Sequence, residues 1–267
     1  MRKDNPIGVF DSGLGGLTVM KAMMRRLPFE DIVYLGDTAR VPYGTKSRDA
    51  IIRFSLENAA VLMKHHVKMI VVACNSSSSY ALEMLREQFP VPVVGVIEPG
   101  VNRAVQMTKN RRIGVIATRA TISSGSYERL LSRTMPGVKV VSQPCPLFVP
   151  LVEEGWFRRA VTRQVAEEYL QKIKSGRADT LILGCTHYPL LKTVITHVLG
   201  RGVSLVDSAW EVSKLVQTLL EERHAGRDAR RAPQYKFLVS DQPEHFQKQA
   251  RRFLGYDIKD VKRITLS

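Results

Sequence analysis

Short apolar runs alternate with segments of helical spacing along most of this 267-residue chain. Residues 49–65 and 160–174 have clear helical spacing, and Pro-Gly pairs at 99–100 and 136–137 are predicted to break the chain between elements. Apolar runs bounded by polar residues are typical of buried parallel strands, and their alternation with helices predicts βαβ units. The sequence therefore predicts an α/β protein with mainly parallel sheets flanked by helices. The predicted strands lie near residues 6–10, 31–35, 68–73, 92–97, 112–117, 138–142, 179–184 and 203–207.

The second half of the chain repeats landmarks of the first. The run at 7–12 resembles that at 113–118, the run at 94–98 resembles that at 203–207, and two similar runs end in cysteine. The interval, roughly 110 residues, is longer than the repeats of solenoid proteins. We predict two similar lobes related by a pseudo-two-fold axis, with the active site in the cleft between them; chance similarity between Val/Ile-rich strands is the alternative. The predicted division is residues 1–97 plus 207–267 for the first lobe and 98–206 for the second.

Composition places the chain among ordinary globular proteins of a reducing compartment. Hydrophobic residues make up 44% of the chain, and no run approaches the roughly 18 apolar residues of a membrane span. The first six residues lack the apolar region of a signal peptide. Three cysteines, an odd number, argue against a disulfide framework. We expect a cytoplasmic protein without a membrane span.

The net charge of +15 is high for a chain of this length. Basic surfaces attract nucleic acids, anionic membranes and acidic small molecules alike. The sequence lacks zinc-finger spacing, a helix-turn-helix pattern and aromatic residues interleaved on a basic strand. We favour a solvated basic surface, and keep binding to nucleic acid as the alternative from another functional class.

Cys74 and Cys185 each end an apolar run and open onto polar side chains. Open α/β sheets bind their ligands at the carboxyl ends of the strands, so the two thiols are predicted to face one site. A helix starting after either strand would favour the thiolate form. A thiolate can remove a proton from carbon, and a thiol can return one. Two thiols on opposite faces of one carbon predict racemisation without a cofactor.

Other polar residues near strand ends allow more than one interpretation. Asp11 is either a helix N-cap or a carboxylate beside Cys74. The glycines that follow it do not match a dinucleotide or P-loop spacing, so nucleotide binding is disfavoured. His187 follows Cys185 closely, but the spacings of a zinc site are absent, and no metal is predicted. Cys145, between two prolines, is predicted to be structural.

These residues resemble the glutamate racemase family of the aspartate/glutamate racemase superfamily over nearly the whole chain. The second cysteine motif is the most diagnostic. One departure is that the family usually has Cys-Asn-Thr-Ala where this chain has Cys74-Asn75-Ser76-Ser77. The motifs that carry the resemblance are Ile7-Gly8-Val9-Phe10-Asp11-Ser12-Gly13, Asp37-Thr38-Ala39-Arg40-Val41-Pro42-Tyr43-Gly44, Ala73-Cys74-Asn75, the strand end at 114–118, Pro150-Leu151-Val152-Glu153-Glu154-Gly155, Gly184-Cys185-Thr186-His187-Tyr188-Pro189 and Asp207-Ser208.

The resemblance implies interconversion of L- and D-glutamate by two cysteines without a cofactor, supplying D-glutamate for peptidoglycan, and thus for cell wall and cell shape. It implies that Cys74 acts on D-glutamate with help from Asp11, and Cys185 on L-glutamate with help from His187 and Glu153. It also implies a homodimer, and it extends the alternative of a basic binding protein to one that interacts with DNA gyrase. Another racemase of the superfamily is the nearest rival, and a single-cysteine decarboxylase is disfavoured because both cysteines are present. The implied substrate contacts are Asp11, Ser12, Pro42, Tyr43, Gly44, Asn75, Ser76, Thr118, Thr121, Thr186 and His187.

Overall fold

A six-stranded parallel sheet forms the first half of the molecule in the computed structural model, which describes residues 2–228 and 231–266. Its strands run nearly continuously apolar, as expected for strands covered on both faces. The strand order is β10-β9-β2-β1-β3-β4. The strands are β1 (Ile7–Asp11), β2 (Ile32–Gly36), β3 (Met69–Val72), β4 (Val93–Gly95), β9 (Tyr235–Val239) and β10 (Val261–Arg263).

A second sheet of four parallel strands has the order β6-β5-β7-β8. This order corresponds strand for strand to the β2-β1-β3-β4 portion of the first sheet. The prediction of two similar α/β lobes is therefore confirmed, and the matching order is what a duplicated βαβ unit would produce. The strands are β5 (Arg112–Ala117), β6 (Lys139–Pro144), β7 (Thr180–Gly184) and β8 (Ser204–Asp207).

Helices cover the faces of both sheets, because each parallel connection must cross over a sheet face. Two 3-10 turns, Tyr43–Thr45 and Tyr188–Leu191, follow β2 and β7. The helices are α1 (Leu17–Arg26), α2 (Arg48–Met63), α3 (Asn75–Tyr80), α4 (Leu82–Gln88), α5 (Ile97–Met107), α6 (Arg119–Ser123), α7 (Ser126–Thr134), α8 (Phe148–Glu153), α9 (Ala160–Ser175), α10 (Lys192–Leu199), α11 (Ser208–Glu222) and α12 (Pro243–Leu254).

The C-terminal segment returns to the first sheet, as predicted. After α11 the chain adds β9 beside β2, and β10 follows beside β9. Neither strand was predicted from the sequence; β10 has only three residues, two of them basic, and β9 follows a basic, polar segment that was predicted to be a loop. Helix α11 packs against α1 of the first lobe and α5 of the connecting region. The residue boundaries of the two lobes stay a prediction.

One predicted break in the chain is wrong. Pro99 and Gly100 lie inside the first turns of α5, rather than between elements. Proline is tolerated there because its missing N–H would have no partner within the helix anyway. The predicted strand at 92–97 is accordingly shorter, ending at Gly95. No helix within residues 2–228 and 231–266 is both long and apolar enough to cross a membrane.

Candidate active site

A cavity of about 280 Å³ lies in the cleft between the two lobes. Its walls come from the segments that follow β1, β2 and β3 in one sheet, and β5, β6 and β7 in the other. The pseudo-symmetry of the fold thus brings six strand ends to one site, and the volume suits a ligand of amino-acid size. The lining residues are Ser12, Gly13, Val41, Pro42, Tyr43, Gly44, Thr45, Cys74, Asn75, Ser76, Thr118, Arg119, Pro146, Val149, Pro150, Glu153, Cys185, Thr186 and His187.

The two predicted cysteines follow equivalent strands of the two lobes, and both line this cavity. Cys74 follows β3 after one alanine, and Cys185 directly follows β7. Both thiols are free, both residues are only 6% exposed, and each sulfur lies close enough to influence the other electrostatically. Two thiols from corresponding strand ends therefore face one enclosed volume.

The Cys185 half-site consists of Cys185, His187 and Glu153. The sulfur lies 3.8 Å from Nδ1 of His187, and Nε2 of the same ring lies 3.0 Å from Oε1 of Glu153. Burial alone would lower the pKa of His187, but the contacts to Cys185 and Glu153 outweigh it and raise that pKa to about 10. The raised pKa favours the protonated ring of His187, which is positioned to stabilise a thiolate at Cys185.

The Cys74 half-site consists of Cys74 and Asp11 and has no such cation. Burial, followed by the charge of Asp11, raises the pKa of the Cys74 thiol to about 12. Cys74 is the N-cap of α3, and the N–H of Ser77 in that helix favours the thiolate as expected, but the opposing effect of burial is larger. The desolvation of a buried thiol outweighs the partial charge of a six-residue helix.

Asp11 is the last residue of β1 and is fully buried beneath the cavity, without being one of its lining residues. Its carboxylate accepts hydrogen bonds from the Gly13 N–H (3.0 Å) and the Thr186 hydroxyl (3.4 Å). Burial raises the pKa of Asp11 above its ordinary value, although His187 and these donors act in the opposite direction. The N-cap of α1 is Gly16, so the interpretation of Asp11 as a helix cap is wrong.

Hydroxyl groups from both lobes meet on one wall. Ser76 lies 3.0 Å from the Thr118 hydroxyl and 3.2 Å from that of Thr121, and these two threonines are 3.1 Å apart. Thr121 is fully buried behind the wall and does not line the cavity. Asn75 accepts a hydrogen bond from Tyr127 at 2.7 Å, which leaves its amide nitrogen free to donate. The wall therefore presents neutral donors.

The segment after β2 forms the roof of the cavity and includes Pro42, Tyr43 and Gly44. Tyr43 donates its hydroxyl to the buried carboxylate of Asp37, so its ring, rather than its hydroxyl, is available to a ligand. A β-carbon on Gly44 would lie 2.7 Å from that of Thr118 in the other lobe. Glycine at this position allows the roof to touch the second lobe.

The glycines after β1 serve the same kind of close approach, which explains them without a nucleotide. A β-carbon on Gly15 would lie 2.1 Å from the Thr186 hydroxyl, and one on Gly16 would lie 2.4 Å from that of Asp11. The loop can therefore pack directly against the Cys185 half-site. Sequence reasoning recognised that the spacing did not fit a phosphate loop, but it gave no reason for the glycines.

Arg119 is the lining residue of greatest consequence that the sequence did not single out. It follows Thr118 at the end of β5, is exposed, and places a cation on a wall that was predicted to be neutral. Its position directly after a strand end is the signal that could have identified it. Val149 and Pro150 on α8 supply apolar surface nearby.

Cys145, which the sequence predicted to be structural, does not line the cavity. Cys145 is buried, and its sulfur lies 3.6 Å from the Gln143 carbonyl oxygen, as expected for a structural residue. Within residues 2–228 and 231–266, no three His, Cys, Asp or Glu side chains are grouped so that they could hold a metal ion.

Comparison with known proteins agrees with this arrangement. The model of the Asp/Glu/Hydantoin racemase family matches residues 7–216. This chain belongs to that family. Family membership makes it an isomerase and confirms the resemblance on which the sequence-based prediction depended.

Three similar members of the racemase family are each named glutamate racemase. Glutamate racemase of Geobacter metallireducens is 48% identical over 260 residues, which cover 97% of this chain and 96% of the relative. A glutamate racemase isoform from Bacillus anthracis has a solved structure with a TM-score of 0.96 and 38% identity, covering 99% of each chain. The glutamate racemase of Francisella tularensis, solved with D-glutamate, has a TM-score of 0.93 and 40% identity, covering 99% of this chain and 98% of that one.

Proposed function

We propose that this racemase interconverts L- and D-glutamate by two-base proton transfer between Cys74 and Cys185, without a cofactor. The observation that carries the proposal is the pair of thiols at equivalent strand ends of the two lobes, both of which line one cavity. Similarity to relatives named glutamate racemase supports the choice of substrate. The D-glutamate formed would supply peptidoglycan synthesis in the cytoplasm, and a homodimer is the expected assembly.

The proton transfers follow from the positions of the two sulfurs. One cysteine enters the cycle as thiolate and removes the Cα proton, while the other enters as thiol and donates its proton to the opposite face. The electron pair left on Cα by the first transfer takes the second proton, so the configuration inverts and the two sulfurs exchange protonation states. We assign Cys185 to L-glutamate and Cys74 to D-glutamate. The reverse reaction returns the enzyme to its starting form.

The surrounding side chains would bind and orient the substrate. Glutamate has two carboxylates and one ammonium group, so it carries a net negative charge. The hydroxyls of Ser76 and Thr118, together with the amide of Asn75, can donate to carboxylate oxygens, and Arg119 adds a cation at the wall. Such donors also stabilise negative charge that develops in the transition state, where Cα loses its proton.

The remaining predicted contacts have supporting roles in the proposal. Ser12 and Thr186 line the cavity near the Cys185 half-site, and Thr121 holds the hydroxyl network from behind. Pro42, Tyr43 and Gly44 close the cavity from the roof and would exclude water from the reacting carbon.

The test is racemisation of L-glutamate in deuterium oxide without added cofactor, followed by circular dichroism and by NMR at Cα. Because the donating thiol exchanges its proton with solvent and is not the group that removes the substrate proton, early D-glutamate product should contain deuterium while the remaining L-glutamate keeps hydrogen. Cys74→Ala and Cys185→Ala should each reduce racemisation at least about 100-fold, the usual contribution of a general acid or base.

Cys145→Ala is the matched control, since Cys145 is also a buried free thiol but lies outside the cavity, and it should retain activity. Substrate-derived hydrogen in the early product would indicate a single base and contradict the mechanism. Turnover of aspartate in place of glutamate would keep the two-thiol mechanism and overturn the substrate.

A further inference from the structure

Four consecutive serines, Ser76 to Ser79, follow Cys74 and its neighbour Asn75 in α3, and three of their hydroxyls have partners. Ser76 bonds to threonines of the second lobe. Ser78 donates to the Val72 carbonyl at 2.9 Å and accepts from the Val96 N–H at 3.3 Å. Ser79 donates to the Asn75 carbonyl at 2.8 Å. The hydroxyl of Ser77 is different from these three.

The Ser77 hydroxyl is buried, and it is one of the few buried side-chain nitrogen or oxygen atoms in the described part of the chain that have no hydrogen-bond partner. A buried hydroxyl without a partner costs about 1–3 kcal/mol, so a fold retains one only rarely. Because a thiol is a poor acceptor, a hydroxyl that faces a neutral cysteine would remain unsatisfied in this way.

The position of Ser77 in the helix explains what the hydroxyl faces. Cys74 is the N-cap of α3, with extended backbone angles (φ −69°, ψ 124°), and Ser77 is the third residue of the helix. An N-cap side chain generally turns toward the third residue of its helix, although the Cys74 sulfur makes no regular cap hydrogen bond here. The N–H and the hydroxyl of Ser77 are accordingly the two neighbouring groups that favour the thiolate of Cys74.

We propose that Ser77 is a positioning residue for Cys74, whose hydroxyl donates a hydrogen bond to the sulfur when Cys74 becomes a thiolate. The Ser77 hydroxyl thus gains its hydrogen-bond acceptor, the Cys74 thiolate, during the reaction. This inference rests on the proposed function only in taking Cys74 as a base. In this proposal Ser77 is the neutral donor that stabilises the Cys74 thiolate, as the protonated ring of His187 stabilises the Cys185 thiolate.

The test measures the Cys74 thiolate directly, through the rate of alkylation by iodoacetamide between pH 7 and pH 9 in a Cys185→Ser background. The alkylated residue is identified by peptide mass spectrometry. Adding Ser77→Ala should slow alkylation of Cys74 about tenfold at each pH, as expected for loss of one hydrogen bond to a charged group. Ser77→Ala alone should reduce kcat for racemisation by a similar factor.

Two variants separate this role from a structural one. Ser79→Ala removes a hydroxyl from the same helix that bonds only to a backbone carbonyl, and it should leave alkylation unchanged. Ser77→Thr keeps the hydroxyl and should restore most of the rate. Unchanged alkylation in a folded Ser77→Ala protein, checked by its melting temperature, would overturn the proposal. If the unsubstituted protein fails to racemise glutamate while Ser77→Ala still slows alkylation in the Cys185→Ser background, the Ser77 role is supported and the proposed function is rejected.

Discussion

The two half-sites occupy the same place in the fold and yet treat their thiols differently. Cys74 and Cys185 both end the third strand of a βαβ arrangement, and both are almost fully buried. The Cys185 half-site pairs its sulfur with His187, whose pKa is raised to about 10, whereas burial and Asp11 raise the pKa of Cys74 to about 12. The duplicated sheet thus determines where each sulfur lies, and the segment after the strand determines how a thiolate is stabilised there.

The difference originates in the residues that follow each cysteine. After Cys74 the chain enters α3 at once, so the next groups along the chain are helix N–H groups and hydroxyls. After Cys185 the chain makes a short turn before the 3-10 segment at Tyr188, and this turn brings the ring of His187 back beside the sulfur. Hydrogen bonds with an ionised partner are roughly twice as strong as neutral ones.

Replacing His187 should produce the largest effect on this comparison. His187→Asn removes the cation beside Cys185 and should reduce kcat/KM about 1,000-fold, within the range expected for acid–base groups. The value of kcat/KM should fall by the same factor for L-glutamate and for D-glutamate, because the two enantiomers have equal free energy in solution. Circular dichroism assays starting from each enantiomer measure it.

A second measurement assigns this loss to one half-site. In a Cys74→Ser background, His187→Asn should slow alkylation of Cys185 by iodoacetamide, since the thiolate loses its nearest cation. The exposed His197 provides a control, and His197→Asn should change neither rate. If His187→Asn left alkylation of Cys185 unchanged, the two half-sites would not differ in the way described above.

Replacing Asp11 should have a smaller effect, and the two readouts should move in opposite directions. Asp11→Asn removes the negative charge that raises the pKa of Cys74, so that pKa should fall and alkylation of Cys74 at pH 8 should become about tenfold faster. Racemisation should nevertheless fall about 100-fold, because the carboxylate that can accept the proton of Cys74 is lost.

Asp179→Asn is the matched control for Asp11→Asn. Asp179 precedes β7, at the end of the second sheet opposite to the cavity. Burial would raise the pKa of its carboxyl, but hydrogen bonds from Thr108 and from backbone N–H groups together outweigh burial and lower that pKa. Its replacement should lower the melting temperature without changing turnover. Faster racemisation in Asp11→Asn would mean that Asp11 only hinders ionisation of Cys74.

The sequence was sufficient for the positions of the two thiols but not for their environments. Apolar runs that end in cysteine locate a residue at a strand end, because burial on both faces of a parallel sheet requires such runs. The contact of His187 with Cys185 is also local, two residues along the chain. The raised pKa of Cys74 depends on burial by both lobes, and this burial is not encoded within any one segment.

The features that the sequence missed depend on pairings between distant segments. Strand β9 pairs with the edge of β2 and β10 with β9, so both strands depend on a sheet formed by residues far away in the chain. Arg119 belongs to a cavity whose walls come from both lobes. The Ser77 hydroxyl could be recognised only after the partners of the other three serines were known.

The smallest effect should come from Glu153, and it should appear mainly in the pH dependence. Glu153 holds Nε2 of His187 at 3.0 Å and helps to raise the pKa of that ring, so Glu153→Gln should lower it. His187 then loses its proton at a lower pH, and the alkaline limb of the kcat profile should move down by about one pH unit, since Glu153 is partly exposed and screened. At pH 7 the rate should fall less than about threefold, because the ring is still largely protonated.

Glu154→Gln, at the exposed neighbouring position, should leave the profile unchanged. An alkaline limb that stays in place in Glu153→Gln would mean that Cys185 alone maintains the proton on His187, and the cation of this half-site would then depend on the thiolate that it stabilises.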